Sequence, residues 1–353
     1  MHKLFTSSFD ASIYLQQPDQ NAGRDEILEV GKLYYGSAKD IARTLIKFDV
    51  ANMGIPSGSI VYLNLKSSQA EEIPLEYTIH ANAVSQSWTM GTGTKFDNIT
   101  SDGVSWKYRN GVDTWQDNVT AGTAVFTPGT TGSANAEGGT WYTASQASQS
   151  YNYEDADIRI NVTGIVNSWL SGSIPNNGFI VHHGLENEEN ALDYGVLKFF
   201  SKETTTIYEP KLEVVWNDVS FVTGSLLPVT GSAQDDYKVI ITNLKTEYSK
   251  DSKIKIRIKG RDMFPLKSFS TTFEYDQSKY LPTTSYYQLE DYVTDDVIYP
   301  FGEYTKISCD NTSNYFILDL NTLPLYRTYR LKLKIIDGEI STIIDDKLTF
   351  QIV

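Results

Sequence analysis

Apolar and polar residues alternate over short spans along most of this chain. In "ARTLIKFDV", Ile46, Phe48 and Val50 alternate with Lys47 and Asp49. "GSIVYLNLKS" sets Val61, Leu63 and Leu65 against Ile60, Tyr62 and Asn64, and "LEYTIHANA" and "YEDADIRINV" behave alike. A period of two marks a strand, because successive side chains leave it on opposite faces. Further on, "SKIKIRIKG" opposes Ile254, Ile256 and Ile258 to Lys253, Lys255, Arg257 and Lys259. "YRLKLKIID" repeats the design with Leu331, Leu333 and Ile335 against Arg330, Lys332 and Lys334. These segments predict a sheet with one wet face. Helical spacing is convincing once, in "NVTGIVNSWLSG", where Val162, Ile165, Val166 and Trp169 recur at three and four residues before Gly172. It predicts one short amphipathic helix near 162–170. The expected fold is all-β.

Strand patterning breaks near residue 217, where "PKLEVVW" gives way to the turn-rich "NDVSFVTGSLLPVTGSAQDD". Two domains are expected, 1–217 and a smaller 218–353, each a β-sandwich. Inside the first, residues 91–150 are rich in Gly, Ser, Thr and Asn and cannot build a core by themselves. Trp88, Trp106, Trp115 and Trp141 punctuate this region. They read either as buried pins for long loops or, with Tyr108 and Tyr142, as an exposed aromatic face that contacts a partner or a glycan.

Composition narrows the function. The 353 residues carry a formal charge of −14, which disfavours nucleic acid and anionic lipid as partners. Cys309 is the sole cysteine, so no intrachain disulfide and no Cys-based zinc site is expected. The start "MHKLFTSSFDASIYLQQ" lacks the apolar core of a secretory signal, and no apolar run reaches membrane-spanning length. Export by the general secretory route is not expected.

Two resemblances add to this. "ARTLIKFDVANMGIPSGSIVYLNLKS", followed by "GIVNSWLSGSIPNNGFIVHH", "LKFFSKE" and "YEPKLEVVW", resembles the DNRLRE domain family over residues 1–217. Arg43, Phe48, Asp49, Glu203 and Pro210 occupy its motif positions, while the Trp-rich insertion departs from compact members. The resemblance implies a jelly-roll-like sandwich that serves as a glycan-binding or structural module, without catalysis. On the residues themselves, Arg43 is expected to pair with Asp49 or cap a strand end, and Glu203 with Lys202 to do likewise. A calcium or sugar site at these charges is the functional alternative. From about residue 250, "SYYQLED", "IYPF" and "YFILDLNTL" appear in an order similar to virion structural proteins of tailed phages.

The strongest candidate for catalysis is "GFIVHHGLENEEN", with His182 and His183 ahead of Glu186, Glu188 and Glu189. Adjacent strand residues face opposite ways, so the two histidines cannot share one ion from a regular strand. His80 belongs to another strand and supplies no obvious third ligand. One histidine could combine with Glu186 or Asp193; otherwise the stretch is a strand entering a solvated acidic loop. Acidic pairs such as Glu71–Glu72, Asp235–Asp236, Asp295–Asp296 and Asp345–Asp346 are ordinary in a chain with 44 Asp and Glu. No nucleophile elbow, P-loop or dinucleotide fingerprint is present.

The expectation is a non-enzymatic structural component of a tailed-phage virion, made in a bacterial cytoplasm and homo-oligomeric within the particle. It would act through contacts with other virion proteins, without cofactor or metal. The alternative is a carbohydrate-binding module or adhesin that uses Trp106, Tyr108, Trp115, Trp141 and Tyr142.

Overall fold

Alternation becomes strand where it was expected: Val61, Leu63 and Leu65 are buried, and the residues between them are half-buried. The computed structural model describes residues 1–36, 38–71, 73–74, 76–116, 125–126, 137–152, 157–233, 235–264 and 278–353. Part of the Trp-rich stretch (117–124 and 127–136), Glu72 of one acidic pair and residues 153–156 lie outside these. The chain divides into two compact units, Leu4–Val214 and Val215–Val353, the latter joined by Met1–Lys3. Both are built of β-strands, so the protein is an all-β multi-sandwich.

The first unit uses β1 (His2–Thr6), β2 (Phe9–Tyr14), β3 (Ile27–Tyr35), β4 (Ala38–Lys47), β5 (Ile60–Leu65) and β6 (Ser67–Glu71). There follow β7 (Glu76–Val84), β8 (Val125–Phe126), β9 (Trp141–Asn152), β10 (Ile158–Asn161), β11 (Phe179–His183), β12 (Gly195–Phe200) and β13 (Lys211–Val215). A small sheet has the order β1-β13-β5-β10. A large one runs β6-β12-β3-β4-β11-β7-β9-β8, with β2 paired to β4. The helix predicted near 162–170 is α1 (Thr163–Leu170), which buries Ile165, Val166 and Trp169. Asn161 Oδ1 accepts from the Thr163 N–H at 3.1 Å, and the Trp169 ring lies 4.6 Å from Phe179 on the large sheet. A second helix, α2 (Leu185–Glu189), stands where a loop was expected.

In the middle of the large sheet, register decides which residues share a face. Ile180 pairs with Leu45 and Asn82, His182 with His80, and Asn82 with Gln146, so these six share one face with Arg43. Ile46, Phe179, Val181, His183, Ile79 and Ala81 share the other, where Phe179 meets α1.

The Trp-rich insertion covers part of the first of these faces. Trp88, Val104, Trp106, Trp115 and Trp141 form one apolar cluster with Ala11, Ile13, Ile41, Leu45 and Ile180. A segment too polar to make its own core therefore borrows one from the sheet beneath it. Asn21 fastens the cover from below. Its amide donates to the carbonyls of Met90 (2.7 Å) and Val104 (2.8 Å), and its oxygen accepts from the Gly93 N–H at 2.8 Å. Gly91 passes over this amide at φ +80, and a Cβ there would sit 2.3 Å from Asn21 Oδ1. The site tolerates only glycine, on sterics and on φ alike.

The second unit comprises β14 (Tyr237–Ile241), β15 (Glu247–Tyr248), β16 (Lys253–Asp262), β17 (Ser285–Asp291) and β18 (Val297–Tyr299). It continues with β19 (Ser308–Cys309), β20 (Asn314–Asp319), β21 (Thr328–Asp337), β22 (Ile340–Ile344) and β23 (Thr349–Ile352). One sheet has the order β14-β16-β20-β19; the other runs β15-β23-β21-β17-β18, with β22 on β21. Ile256, Ile258, Leu331, Leu333 and Ile335 are buried, as their alternation predicted. Tyr287 of one sheet stacks on Phe316 of the other at 4.1 Å. No helix among the described residues is long and apolar enough to cross a membrane.

Candidate functional site

Beside the tryptophan cluster, along β7, β9 and the end of β11, the described residues leave a cleft of about 580 Å³ on the same sheet face. Thr78, His80, Asn82, Trp141, Gln146 and His182 come from the sheet, and Gly184, Leu185, Glu186 and Asn187 from the turn into α2. Strand register therefore brings together residues that lie far apart in sequence.

Behind the cleft lies a buried ion pair. Arg43 is 2% exposed and its guanidinium lies 4.7 Å from the Trp106 ring and 5.2 Å from Trp141. Its Nε donates to Glu188 Oε1 at 3.2 Å, a second nitrogen donates to Oε2, and a third reaches the Gly138 carbonyl. Gly138 has φ +80, and a Cβ there would stand 2.5 Å from the guanidinium. The expected partner, Asp49, is exposed and takes a hydrogen bond from Asn52 instead. Arg43 points from the face of β4, whereas Asp49 follows the end of that strand. The ion pair fixes α2 and the insertion onto the sheet.

His182 lies beside this pair, its ring 4.7 Å from Trp141, and its Nδ1 is 3.9 Å from Glu188 Oε1. Glu188 is thus the nearby carboxylate. Asp193 instead accepts from the Tyr34 N–H, and Glu186 is exposed at the cleft. Nδ1 also faces the His183 carbonyl, and Nε2 lies 3.1 Å from Asn82 Oδ1. Burial, followed by the positive charge of Arg43, pushes the His182 pKa down to about 3. Both ring nitrogens thus face oxygens that only accept, and a neutral ring, with one proton, can donate to one of them at a time.

His183 points the other way, into the inter-sheet core near Tyr77 and Tyr194. Neither ring nitrogen has a hydrogen-bond partner, and burial lowers its pKa to about 4. His80 was expected to stand apart, yet register places it opposite His182 with ring centroids 5.9 Å apart. Its Nδ1 contacts the Gln146 amide nitrogen, which only donates, so its proton sits on Nε2 beside Gly184. Burial also lowers its pKa.

Among the described residues, no group of three or more His, Cys, Asp or Glu is placed to hold a metal ion. The cleft combines neutral donors and acceptors with a single carboxylate at its rim, an arrangement suited to holding a polar ligand by hydrogen bonds.

The other predicted site residues are placed as follows. Trp106, Trp115, Trp141 and Tyr142 are 0–6% exposed, and only Tyr108 is partly open. As an exposed aromatic face these positions are therefore corrected: three of the tryptophans fill the layer beneath the insertion, where burial of their rings anchors the loops. Phe48 is a core residue edge-on to Phe179 at 6.2 Å. The Glu203 N–H bonds to Ser201 Oγ and that of Lys202 to Asp10 Oδ2, so this turn is tied through its backbone. Pro210 is buried and its carbonyl accepts from the Ser7 N–H at 3.1 Å. Of the acidic pairs, Asp345 is bound to Arg330 and Asp236 accepts from the Ser232 N–H.

No protein-family model matches the chain, and no curated protein does. Among solved structures, it is aligned along its whole length with a DUF4785 family protein from Legionella pneumophila subsp. pneumophila str. Philadelphia 1, at 11% identity and a TM-score of 0.18. The alignment spans 64% of that protein's chain. A similarity this low carries no argument about fold or function.

Proposed function

We propose that this chain is a non-enzymatic structural component of a tailed-bacteriophage particle, acting through protein–protein contacts. The sequence resemblance of its carboxy-terminal part to virion proteins supports the reading, and an apolar end of the second unit carries it. There the turn after β17 lies against the turn before β21, with the Tyr292 N–H donating to the Thr328 carbonyl at 2.9 Å. Tyr292, Val293, Leu325 and Tyr326 are all exposed, Tyr326 at 75%. Tyr326 also has φ 60, a left-handed conformation that costs a non-glycine residue about 1–2 kcal/mol. Backbone strain that holds an aromatic ring out into solvent fits a surface completed by a partner. Tyrosine suits such a role because it offers a large contact area and few rotamers to lose.

Quantitative mass spectrometry of purified particles tests this. A fixed copy number per particle is expected, falling when Tyr326→Ser and Val293→Ser are introduced together. Absence from particles would overturn the proposal.

A further inference from the structure

We infer that the wet face of β16 is a docking strip for an extended, acidic polypeptide segment of a partner protein, with glutamates at alternate positions. This rests on and deepens the reading of a chain that works through protein contacts, by naming the chemistry of one partner. The strip is made of residues other than those at the apolar end around Tyr326.

Alternation and register build the strip. Every side chain that β16 turns to its wet face is cationic: Lys253, Lys255, Arg257, Lys259 and Arg261. Lys238 of β14 pairs with Arg261 and joins the same face. Lys238, Lys253 and Lys255 are exposed, and Arg257, Lys259 and Arg261 are half-buried. Side chains on one face of a strand recur every ~6.8 Å, and alternate residues of any extended chain share that repeat. A partner lying along the strip can therefore set a carboxylate against each cation. In a chain of formal charge −14, this local reversal of sign concentrates the attraction for an acidic partner at one place.

The chain already shows how the strip holds a carboxylate. Lys255 Nζ donates to Asp310 Oδ2 at 2.7 Å, and two guanidinium nitrogens of Arg257 donate to the two Asp310 oxygens at 3.1 Å each. Hydrogen bonding from Arg257, the largest cause, holds the Asp310 carboxyl below the usual carboxylate range. Asp310 occupies the middle of the strip. Toward its ends Lys253, Arg261 and Lys238 have no carboxylate partner among the described residues.

The rows beside the cations favour a polypeptide over a nucleic acid. Ile240 pairs with Lys259 and Ile317 with Lys255, and both isoleucines are half-buried. The methylene stem of a glutamate can lie on them while its carboxylate reaches the neighbouring cation. Single-stranded nucleic acid binds instead by stacking successive bases on several aromatic rings. Tyr315 is the one aromatic side chain in these rows, and Lys255 already lies over its ring at 3.5 Å. A long polyanion would also run off the strip onto an acidic protein.

The test uses the full chain and labelled probes, with binding read by fluorescence anisotropy at low ionic strength. The probes are a peptide alternating glutamate with serine, one of the same composition with its glutamates in a block, oligo-dT, and phosphatidylserine vesicles. The alternating peptide is expected to bind most tightly and to be released as salt is raised. Lys238→Gln, Lys253→Gln and Arg261→Gln together should weaken it about tenfold, as the loss of three exposed ion pairs implies. These substitutions leave the grip on Asp310 in place, and an unchanged melting temperature verifies the fold. The inference is overturned if the alternating peptide fails to bind at millimolar concentration, or if the block peptide, oligo-dT or the vesicles bind as tightly. It is equally overturned if the triple variant binds like the unsubstituted chain. Absence of the chain from particles would leave these titrations as they stand, so the two proposals can fail separately.

Discussion

Around Arg43 and Ile180, one face of the large sheet lies beneath Trp88, Trp106 and Trp115, whereas farther along the neighbouring strands His80 and Gln146 face an open cleft. The same sheet runs through both places, but its side chains turn from apolar (Leu45, Ile180) to polar (His80, Asn82, Gln146) between them. The cover changes with them. Under the insertion a charged residue is tolerated because Glu188 neutralises it and two indole rings flank it. In the cleft, polar groups persist because water, or a ligand, can reach them. The covered half should therefore carry stability and the open half recognition.

The largest effect should come from the cover itself. Trp115 is fully buried and its indole N–H donates to the Ser105 carbonyl at 3.1 Å. Trp115→Ala should cost about 5 kcal/mol, the upper end for loss of a buried aromatic. Chemical denaturation monitored by far-UV circular dichroism measures it. A loss below about 1 kcal/mol would mean that the insertion merely rests on the sheet.

Next comes the ion pair. Glu188→Leu leaves Arg43 buried without its counter-ion and should cost about 3–5 kcal/mol. Arg43→Met combined with Glu188→Leu should recover much of that loss, because no unpaired charge then remains. A double-mutant cycle from denaturation midpoints separates the two outcomes. If the double variant is as unstable as the sum of the singles, the pair is not a coupled unit.

How far these features can be read from sequence follows from the same contrast. The inward residues of β5, β16 and β21 were legible because alternation is a local property. Arg43 was visible as a charge within an apolar strand, but its partner lies 145 residues away and no local spacing points to it. The helix carrying that partner has five residues, too few to display a period, and its acidic composition imitates a loop. The tryptophans left burial and exposure both open, because their neighbours in sequence do not show what they pack against. His80 was assigned to its strand, yet its place opposite His182 depends on the pairing of β7 with β11, which alternation does not reveal.

A smaller, pH-dependent effect compares the two faces of β11. An unfolded histidine titrates near pH ~6.5, whereas folding holds His182 at about 3 and His183 at about 4. Between these limits the unfolded chain binds more protons than the folded one, so each histidine's contribution is full above pH ~6.5 and drains away at about 1.4 kcal/mol per pH unit as pH falls. Asp10 opposes this. Burial raises its carboxyl pKa to about 6, so the folded chain takes up that proton first and gains stability as pH drops toward the unfolded value. His183→Phe isolates one histidine. At pH 7 it should be at least as stable as the parent, since two unpartnered ring nitrogens are removed. Its advantage should then widen by about 1.4 kcal/mol per unit on going to pH 4.5. Parallel denaturation curves at both pH values would refute the burial of a neutral His183.

The smallest effect is the most pointed test of the comparison. Gln146 lies on the same face as Asn82 and Ile180 but at its open end, where it is exposed and bonds to His80. Gln146→Ala should change stability by less than about 0.5 kcal/mol, as surface substitutions do. Trp115, under the insertion, should lose roughly ten times as much. The Gln146 contact with His80 would then set the tautomer of a neighbouring imidazole without contributing much to folding. The imidazole signals of His80 report on this directly: Gln146→Ala frees Nδ1, and the ring nitrogen shifts should move toward a mixture of tautomers while the melting temperature stays constant. Should the melting temperature fall by more than about 5 °C, roughly 1 kcal/mol or more for units of this size, Gln146 would be part of the structural framework, and the open half of the sheet face would have to be counted with the covered one.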